Sequence, residues 1–438
     1  MRGSYSVIVI GAGLAGLTAA LKLQKEGQKV LIVEQDHQPG GLCGSVHIGG
    51  YEFVKACNDF GNGLQKIFTS LRIPVKFIPS KLIFHVGDRS LTLNSSRLAL
   101  TLLPYLPDLT RAIYAIRNNT HENLAELIDT KIQSSWFKDL LAILSYALTM
   151  APADVSLRIL RENFSNRYGY GYEKTVVPVG GPGKMMNTMA EVFTKRGGTI
   201  VYDTKALDIR QYSDYKRIVT NKGVWIADEV ISSIPRWDLY PSDYKESLHI
   251  NVLHVALRKN IRFPRIFTTL TIMPEGVDYW LTRLDQGARP HTFGFHVVKS
   301  LLSEKEDYVT VNVYFLAPRG LMDYDELTEQ ETIRYIYNRI EEHIPGFQDA
   351  VLFHKLVSPS TFKALYGVSS QQLRYILPEN YEKPPIYDPD KDLYHVGNSA
   401  YPPGEHAGAA ALSGWQAATM ILEKNGMKAG KKWAKVAV

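Results

Sequence analysis

The spacing of hydrophobic positions divides the chain into regions of different predicted structure. The apolar run Val7–Ile10 leads through glycines into an Ala/Leu-rich segment that ends at Gly27, and a second run, Lys29–Val33, follows. This order predicts a buried strand, a helix and a second parallel strand. From Ser80 to Phe164, large apolar residues recur every three or four positions and predict helices. From Trp237 to about Tyr387, alternating stretches such as INVLHVALRK and YVTVNVYFLAP predict a second sheet.

The block between these regions returns to the pattern of the N-terminus. It predicts a glycine turn, a helix over Lys184–Lys195, a strand from Thr199 and a buried strand in GVWIADEVISSIP. A chain that leaves an α/β unit and returns to it carries insertions, so we predict an α/β fold in which a Rossmann-type domain is interleaved with a mixed sheet-plus-helix domain. The predicted division assigns residues 1–79, 172–236 and 388–425 to the nucleotide-binding domain, 80–171 and 237–387 to the substrate domain, and 426–438 to a basic tail.

Composition narrows the classes of protein without identifying one. The 438 residues carry a formal net charge of +6, a mild excess that does not by itself indicate nucleic acid. Two cysteines exclude a disulfide framework and a four-cysteine zinc site. In the second insertion, His249, His254, His291, His296 and His354 have no metal-ligand spacing, so no metal is predicted.

The ends of the sequence bear on its location in the cell. The opening MRGSYSVIVIGAG has too short an apolar run for a signal peptide or a membrane-spanning helix, and a cytoplasmic location is predicted. The final stretch EKNGMKAGKKWAKVAV contains five lysines and a tryptophan. A solvated terminus and a peripheral contact with an anionic membrane surface both explain this composition.

The strand-to-helix turn GAGLAG has the pattern of a dinucleotide-binding site. Gly11, Gly13 and Gly16 form G-x-G-x-x-G around Ala15: the first glycine turns the chain, the second admits a pyrophosphate, and the third packs helix against strand. The helix N-terminus offers free N–H groups to the phosphates. We expect Gly11, Gly13, Ala15 and Gly16 to contact the cofactor.

Residues after the second strand indicate which kind of dinucleotide binds. Glu34 follows Gly16 by 18 positions, where a carboxylate accepts hydrogen bonds from an unphosphorylated ribose and disfavours NADP. The doublet Gly40-Gly41 lets the backbone approach a second part of an extended cofactor. One fingerprint is present, so no second site for NAD(P)H is predicted.

On these motifs the chain resembles the FAD-binding flavoprotein superfamily of monoamine oxidases, protoporphyrinogen oxidase and phytoene desaturases. The resemblance implies a glutathione-reductase-like FAD domain in which the strand near Ala206 meets adenine through its backbone. The superfamily usually has arginine after the Gly-Gly doublet, where this chain has Leu42. It also implies that Gly397 and Asn398 lie beside the pyrophosphate and ribityl chain, and that the helix from about Ala407 points its N-terminus at the flavin pyrimidine ring. FAD is expected to be non-covalent.

Three residues are candidates for catalysis. Relatives have an aspartate in the glycine-aromatic loop that approaches the flavin, and this chain has Lys55 and Cys57 in that region. Both residues either lie near the isoalloxazine or are a surface lysine and a small buried thiol. His406, at the entrance of the last helix, either contacts flavin or substrate as a proton acceptor or caps the helix.

The resemblance implies an FAD-dependent oxidoreductase that removes hydride from a C–N or C–C bond, with oxygen or a quinone as electron acceptor. Hydride transfer to flavin needs mainly placement in a dry cavity, so no catalytic dyad is required. The substrate is either a small amine, which predicts aromatic residues beside the flavin, or a lipid-like isoprenoid, which predicts an apolar tunnel. The alternatives are a redox-neutral FAD-dependent isomerase and a non-catalytic FAD-stabilised binding protein.

Overall fold

The computed structural model describes residues 4–93, 98–163, 165–236, 245–263, 267–300, 307–366, 375–376, 383–404 and 406–426. Of the predicted basic tail, residues 427–438 lie outside this part of the chain.

The strands are listed here in chain order. The first half contains β1 (Ser4–Ile10), β2 (Val30–Val33), β3 (Ser45–Ile48), β4 (Tyr51–Val54), β5 (Phe60–Gly61), β6 (Phe77–Pro79), β7 (Leu82–Val86), β8 (Arg89–Thr92), β9 (Thr175–Pro178), β10 (Thr199–Val201) and β11 (Ala206–Gln211). The second half contains β12 (Lys216–Thr220), β13 (Gly223–Ser232), β14 (Lys245–Glu246), β15 (Ile250–Arg258), β16 (Thr269–Met273), β17 (Phe295–Lys299), β18 (Tyr308–Leu316), β19 (Val351–Val357), β20 (Tyr375–Ile376), β21 (Tyr387–Asp388) and β22 (Leu393–His395).

The helices follow the same order. They are α1 (Leu14–Lys25), α2 (Gly63–Leu71), α3 (Leu98–Leu102), α4 (Leu106–Asn118), α5 (Leu124–Lys131), α6 (Ser135–Ala147), α7 (Leu157–Asn163) and α8 (Gly181–Lys195). The remaining helices are α9 (Val277–Asp285), α10 (Glu326–Glu341), α11 (Phe347–Ala350), α12 (Pro359–Tyr366) and α13 (Ala407–Lys424).

An eight-stranded sheet is built from three separate segments of the chain. Its order is β10-β2-β1-β13-β12-β11, and β22 extends it beside β13 and pairs with β21. The pairs β10–β2, β2–β1, β1–β13 and β13–β22 are parallel, as the continuous apolar runs predict. Helix α8 begins at Gly181, three residues before the predicted Lys184, because Gly180 and Gly181 adopt positive φ angles that open it.

A second sheet has seven strands in the order β19-β15-β18-β17-β16-β7-β8. One face buries an apolar core that includes Leu253, Val311 and Val313, with Ile336 and Ile340 of α10. Residues of the opposite face, such as Thr310 and Asn312, hydrogen-bond to the backbone of β4. This second face therefore lies against the chain that follows the first sheet's glycine turn.

The prediction of helices from Ser80 onward is wrong for its first part. Residues 82–92 form the hairpin β7–β8, and β7 pairs with β16 in parallel. Ile83 and Leu91 are buried within a short stretch that alternates around the Gly87 turn. An alternation of so few residues is hidden by the longer helical pattern that follows it.

Candidate functional site

The glycine turn before α1 leaves the helix start open. Gly13 is the N-cap residue and no side chain caps the helix there. A Cβ added to Gly13 would meet no heavy atom within 4 Å, whereas a Cβ on Gly16 would lie 2.0 Å from the Gly11 carbonyl oxygen. Gly16 is therefore needed for packing within the protein, and Gly13 faces space that the protein does not fill.

Helices α1 and α13 pack side by side and run in the same direction, because Ala15 meets Gly414 and Lys22, seven residues later, reaches Thr419. A Cβ on Gly414 would lie 2.1 Å from the Ala15 carbonyl oxygen, and the Lys22 ammonium donates to the Trp415 carbonyl at 3.3 Å. Ala15 is one residue after the first residue of α1, whereas Gly414 is seven residues after the first residue of α13. At 1.5 Å of rise per residue, α13 begins roughly 9 Å beyond the start of α1. Two helix N-termini are thus staggered along one side of the site.

The Gly40-Gly41 doublet lies directly against the glycine turn. The Gly40 N–H donates to the Ala12 carbonyl at 3.0 Å, and a Cβ on Gly41 would lie 3.5 Å from Gly13 Cα. Leu42 instead packs towards the seven-stranded sheet, in an apolar cluster with Val252, Val357, Phe362 and Tyr366. The side chain that replaces the superfamily's arginine therefore makes an apolar contact between the two parts of the molecule.

Glu34 is buried next to the turn. Its carboxylate accepts the Ala12 N–H at 2.5 Å and the Asp36 N–H at 2.9 Å. Burial raises the pKa of this carboxyl, and the two backbone donors oppose that rise. The Glu34 carbonyl also accepts the Thr204 N–H, which places the start of β11, at Ala206, close to the same carboxylate.

The loop after β22 contains a second open position. Gly397 has φ +104°, and an added Cβ would meet no heavy atom within 4 Å. Its N–H donates to Ser413 Oγ of α13 at 2.8 Å. The adjacent Asn398 Oδ1 is buried and has no hydrogen-bond partner among the described residues. A buried amide oxygen without a partner marks a position where a ligand donor is expected.

A buried lysine that sequence reasoning missed holds this loop. Lys383 donates to the carbonyl oxygens of Asn398 at 2.6 Å and of Gly404 at 2.8 Å. The Arg236 N–H adds a hydrogen bond to Ser399 Oγ at 2.8 Å. The sequence signal is weak, because Lys383 precedes two prolines in a stretch that reads as an ordinary polar loop.

His406 caps α13. Its Nδ1 accepts the Ala409 N–H at 3.1 Å, and Ala407 is the first, buried residue of the helix. The imidazole ring lies 4.4 Å from the ring centroids of both Tyr170 and Tyr172. The geometry therefore gives His406 the capping role that was one of its two predicted roles.

The tyrosines of YGYGY, residues 168–172, and Tyr401 lie around this cap, and sequence reasoning did not single them out. We call them the tyrosine cluster: Tyr168, Tyr170, Tyr172 and Tyr401, joined by ring contacts to one another or to His406. The Tyr172 hydroxyl is approached by the backbone N–H groups of Gly408 and Gly61, and burial raises its pKa. Tyrosines alternating with Gly169 and Gly171 were the available signal.

Lys55 and Cys57 lie in different surroundings. The Lys55 ammonium is buried and pairs with the Asp36 carboxylate at 2.8 Å, two residues from Glu34. The structure thus places its charge at the predicted ribose side. Cys57 is half-buried and packs against the apolar core that includes Tyr168 and Tyr170. Of the two, Cys57 is the one beside the tyrosine cluster.

The face of the seven-stranded sheet that packs against β4 is polar. His254 Nδ1 bonds Asn312 Oδ1 at 2.7 Å, and the amide nitrogens of Asn312 and Asn58 both donate to the Tyr314 hydroxyl, at 2.8 and 3.2 Å. His296 Nδ1 bonds Thr271 Oγ1 at 2.6 Å. Burial lowers the pKa of both histidines to about 4, so both are neutral at neutral pH. These histidine, asparagine and tyrosine side chains are therefore hydrogen-bonding groups without charge.

Two searches of the described residues concern other kinds of site. No group of three or more His, Cys, Asp or Glu side chains among them is arranged to hold a metal ion. Within the same residues, every helix is too short or too polar to cross a membrane.

Comparison with known proteins identifies the N-terminal unit and the fold. Residues 9–66 match the model of an NAD(P)-binding Rossmann-like domain. Over 50 residues the chain is 57% identical to an inactive all-trans-retinol 13,14-reductase of Danio rerio, covering 11% of this chain and 8% of the relative. Over 83 residues it is 34% identical to a 1-hydroxycarotenoid 3,4-desaturase of Flavobacterium sp. (strain P99-3), covering 18% and 17%. These matches span less than a fifth of either relative.

Solved structures match nearly the whole chain at low identity. An oxidoreductase from Methanosarcina mazei superposes with a TM-score of 0.68 at 16% identity, covering 94% of this chain and 99% of that one. Cyclohexylamine oxidase from Brevibacterium oxydans IH-35A superposes with a TM-score of 0.67 at 12% identity, covering 97% and 100%. The predicted fold class, with a Rossmann-type unit interleaved with a second domain, is confirmed.

Proposed function

From the fold of the FAD-dependent amine oxidase and desaturase superfamily, which this chain shares as its sequence predicts, we infer that it is an FAD-dependent oxidoreductase. We propose that it oxidises the C–N bond of an organic substrate to C=N, with hydride leaving from the C–H of the carbon bonded to nitrogen and a proton from the nitrogen. One observation carries the cofactor assignment: the open positions at Gly13 and Gly397 and the unpartnered Asn398 oxygen lie beside the start of α1 and the first turns of α13. An extended dinucleotide requires such a path past two helix starts.

The residues present are suited to non-covalent FAD. The turn Gly11–Gly16, with Ala15, and the doublet Gly40-Gly41 would hold the pyrophosphate through backbone N–H groups. Glu34 would accept from the ribose and the backbone at Ala206 would meet adenine. Gly397, Asn398 and Ala407 would serve the ribityl chain and ring. When bound, FAD supplies a two-electron acceptor for hydride.

The polar face of the seven-stranded sheet supports an amine rather than a hydrocarbon as substrate. Tyr314, Asn312 and the neutral His254 and His296 are polar groups that the protein already hydrogen-bonds, and we propose that a wall of such groups suits a polar amine better than a hydrocarbon. The tyrosine cluster supplies large, stiff aromatic surfaces that exclude water beside the start of α13. The neutral histidines do not repel an ammonium substrate, and a dry site favours the neutral amine from which hydride leaves.

The roles proposed for the three candidate residues follow from their contacts. Cys57, packed against the core that includes Tyr168 and Tyr170, is the residue that we propose to face the substrate. His406 acts by holding α13 through Ala409 and by positioning Tyr170 and Tyr172. We assign Lys55 to the ribose side through Asp36 and not to catalysis. Oxygen or a quinone is the proposed electron acceptor.

Spectroscopy of the purified protein tests this proposal. An oxidised flavin band that bleaches on anaerobic mixing with primary or secondary amines, and returns on admission of air or a quinone, is the expected result. Bleaching by isoprenoid hydrocarbons and not by amines would replace the amine by a desaturase substrate. Turnover without net oxidation, and only after chemical pre-reduction, would indicate the redox-neutral isomerase. Flavin that no substrate of either class reduces would indicate a binding protein, and protein unable to retain FAD would overturn every version.

A further inference from the structure

Four side chains on α12 and on the polar face of the seven-stranded sheet form one hydrogen-bonded chain: Tyr366, His254, Asn312 and Tyr314. His254 Nδ1 lies 2.7 Å from the Asn312 amide oxygen, which can only accept, so Nδ1 carries the proton. Because this imidazole is neutral, its Nε2 is an acceptor and the Tyr366 hydroxyl donates to it. The first three members therefore each donate to the next one.

Backbone carbonyls fix the orientation of the two amides that reach Tyr314. The Asn312 amide nitrogen donates to the Val54 carbonyl at 2.7 Å and to the Tyr314 hydroxyl at 2.8 Å. The Asn58 amide nitrogen donates to the Ala56 carbonyl at 3.3 Å and to the same hydroxyl at 3.2 Å. A hydroxyl has two lone pairs and one proton, and both lone pairs are now occupied. The proton of Tyr314 has no acceptor among the residues that the structure describes.

Tyr314 is also the most exposed member of the chain. His254 and Asn312 are 0% exposed and Tyr366 is 2% exposed, whereas Tyr314 is half-buried and keeps accessible surface. Hydrogen bonds that run in one direction polarise one another, so the last donor is strengthened. The chain therefore ends in a strengthened O–H donor that a ligand can reach.

The surroundings of this hydroxyl select the kind of acceptor. Burial raises the pKa of Tyr314, and negative charge at Asp59 adds to the rise, so the hydroxyl keeps its proton. Conditions that oppose a phenolate also oppose a carboxylate or phosphate in the same place. An ammonium group has no lone pair and cannot accept the proton. An uncharged ether, hydroxyl or carbonyl oxygen meets these conditions.

A free amine also has a lone pair, but that pair forms the C=N bond in the proposed reaction, so a donor bound to it would oppose oxidation. The acceptor is therefore a second group of the substrate and not the nitrogen that is oxidised. Asn58, which bonds the Tyr314 hydroxyl, follows directly after Cys57 in the chain. The donor thus lies beside the loop that we propose to face the substrate.

We propose that Tyr314 donates its proton to an uncharged oxygen atom of the substrate and so selects oxygen-bearing amines over alkylamines of the same length. This inference rests on the proposed function and names the class of amine that the site takes.

Anaerobic stopped-flow reduction of the flavin by matched amines tests this selectivity. The pairs are 2-methoxyethylamine with butylamine, 3-methoxypropylamine with pentylamine, and 4-methoxybutylamine with hexylamine, which differ by an ether oxygen in place of a methylene. We expect the wild type to bind the methoxyamine of at least one pair about tenfold more tightly than the alkylamine. Tyr314→Phe should abolish this preference through the dissociation constant, with the limiting rate of reduction by the alkylamine within about twofold of the wild type.

Tyr324→Phe is the matched control. The Tyr324 hydroxyl also accepts an amide N–H, from Asn251 at 2.9 Å, but Asn251 and His254 are three residues apart in β15 and point to opposite faces. This control should keep the preference of the wild type. Tyr366→Phe removes the first donor of the chain and should weaken the preference by less than Tyr314→Phe does. FAD content and the melting temperature of each variant establish that the fold is intact.

Three results would overturn the proposal. The first is equal affinity of the wild type for both members of every pair. The second is an equal loss of preference in Tyr314→Phe and Tyr324→Phe. The third is tighter binding of 4-aminobutanoate than of any methoxyamine, which would assign recognition to a cation.

Failure of the proposed function is distinguishable, because then no amine of either kind reduces the flavin. In that case the same pairs are compared by the rise in melting temperature that each produces in the oxidised protein. A larger rise with a methoxyamine, lost in Tyr314→Phe, would support the donor role of Tyr314 without turnover. Equal or absent stabilisation by both members of every pair would overturn it.

Discussion

The two helix starts at the proposed cofactor site are built in opposite ways. At α1, the N-cap is Gly13, no side chain accepts from the first turn, and the position is open. At α13, His406 already accepts the Ala409 N–H and the Tyr172 hydroxyl is approached by the Gly408 N–H. Free backbone donors attract an anion, so α1 suits a phosphate. At α13, side chains share the donors, so the properties of the flavin end depend on residue identity.

Substitutions of the glycines should produce the largest effects and test the open start directly. Gly13→Val places a side chain where the protein leaves space, and its φ of −74° is accessible to any residue. We expect folded protein whose affinity for FAD is at least tenfold lower, measured by fluorescence titration of the flavin-free form. Retention of yellow colour by this variant would contradict the assignment of the phosphate turn.

Gly16→Ala is the companion variant, because a side chain at this glycine of the same motif should destabilise the protein itself and not only block the cofactor. Its Cβ would lie 2.0 Å from the Gly11 carbonyl, so the flavin-free protein itself should lose about 1–3 kcal/mol of unfolding free energy. If Gly13→Val destabilises the flavin-free protein as much as Gly16→Ala, the distinction between an open and a packed glycine is wrong.

Lys22, between the two helices, should have the largest effect on stability, whereas Gly13→Val acts on FAD binding. Burial lowers its pKa from 10.5 to about 7, with nearby Glu26 and Glu423 opposing the change. Between these two pH values the unfolded chain binds more protons than the folded one, so stability rises as pH increases from about 7 to 10.5. Lys22→Met should remove this rise and stabilise the protein at neutral pH, by at most about 5 kcal/mol.

Urea unfolding at pH 6.5, 8.5 and 10 measures this profile. Lys25→Met, on an exposed position of the same helix, is the control and should keep the slope of the wild type. A Lys22→Met protein with an unchanged slope would show that the ammonium is not desolvated between α1 and α13, and that the two starts are less firmly joined than their contacts indicate.

The contrast between the helix starts also explains what the sequence could predict. The glycines Gly11, Gly13, Gly16, Gly40 and Gly41 act through the backbone, and the Glu34 carboxylate lies in the same local unit, so spacing alone was informative. The tyrosine cluster and Lys383 act through side chains that meet from distant segments, and no local pattern announces such contacts. The hairpin β7–β8 was missed because its alternation is short and a long helical pattern follows it, and the other partner of β7, β16, lies about 190 residues later.

Substitutions in the Lys55–Asp36 ion pair test the predicted ribose side of the cofactor site. Burial raises the pKa of Asp36, but the hydrogen bond and charge of Lys55 outweigh it, so the pKa is lowered overall. The stabilisation from this pair is therefore present above the ordinary pKa of aspartate and is lost as pH falls through the lowered value. Lys55→Met should cost about 1–3 kcal/mol at neutral pH, and adding Asp36→Asn should recover part of it.

Flavin reduction separates this role from the catalytic one considered for Lys55. In stopped-flow mixing with a substrate amine, Lys55→Met with FAD bound should reduce at the rate of the wild type. If the rate falls tenfold or more in Lys55→Met and no Asp36 variant restores it, Lys55 acts at the flavin and not only at the ribose side.

His406 should give the smallest effect on stability and the finest test of the flavin end. His406→Ala removes the acceptor for the Ala409 N–H, which should cost about 1 kcal/mol, and His406→Asn supplies an alternative N-cap acceptor that should restore most of it. If the imidazole acts only by holding α13 and the tyrosines, the rate of flavin reduction should follow the cap: slower in His406→Ala and near wild type in His406→Asn. Equal slowing in both variants, with stability restored only by asparagine, would mean that the imidazole itself takes part in the reaction, and that the two helix starts differ in chemistry as well as in capping.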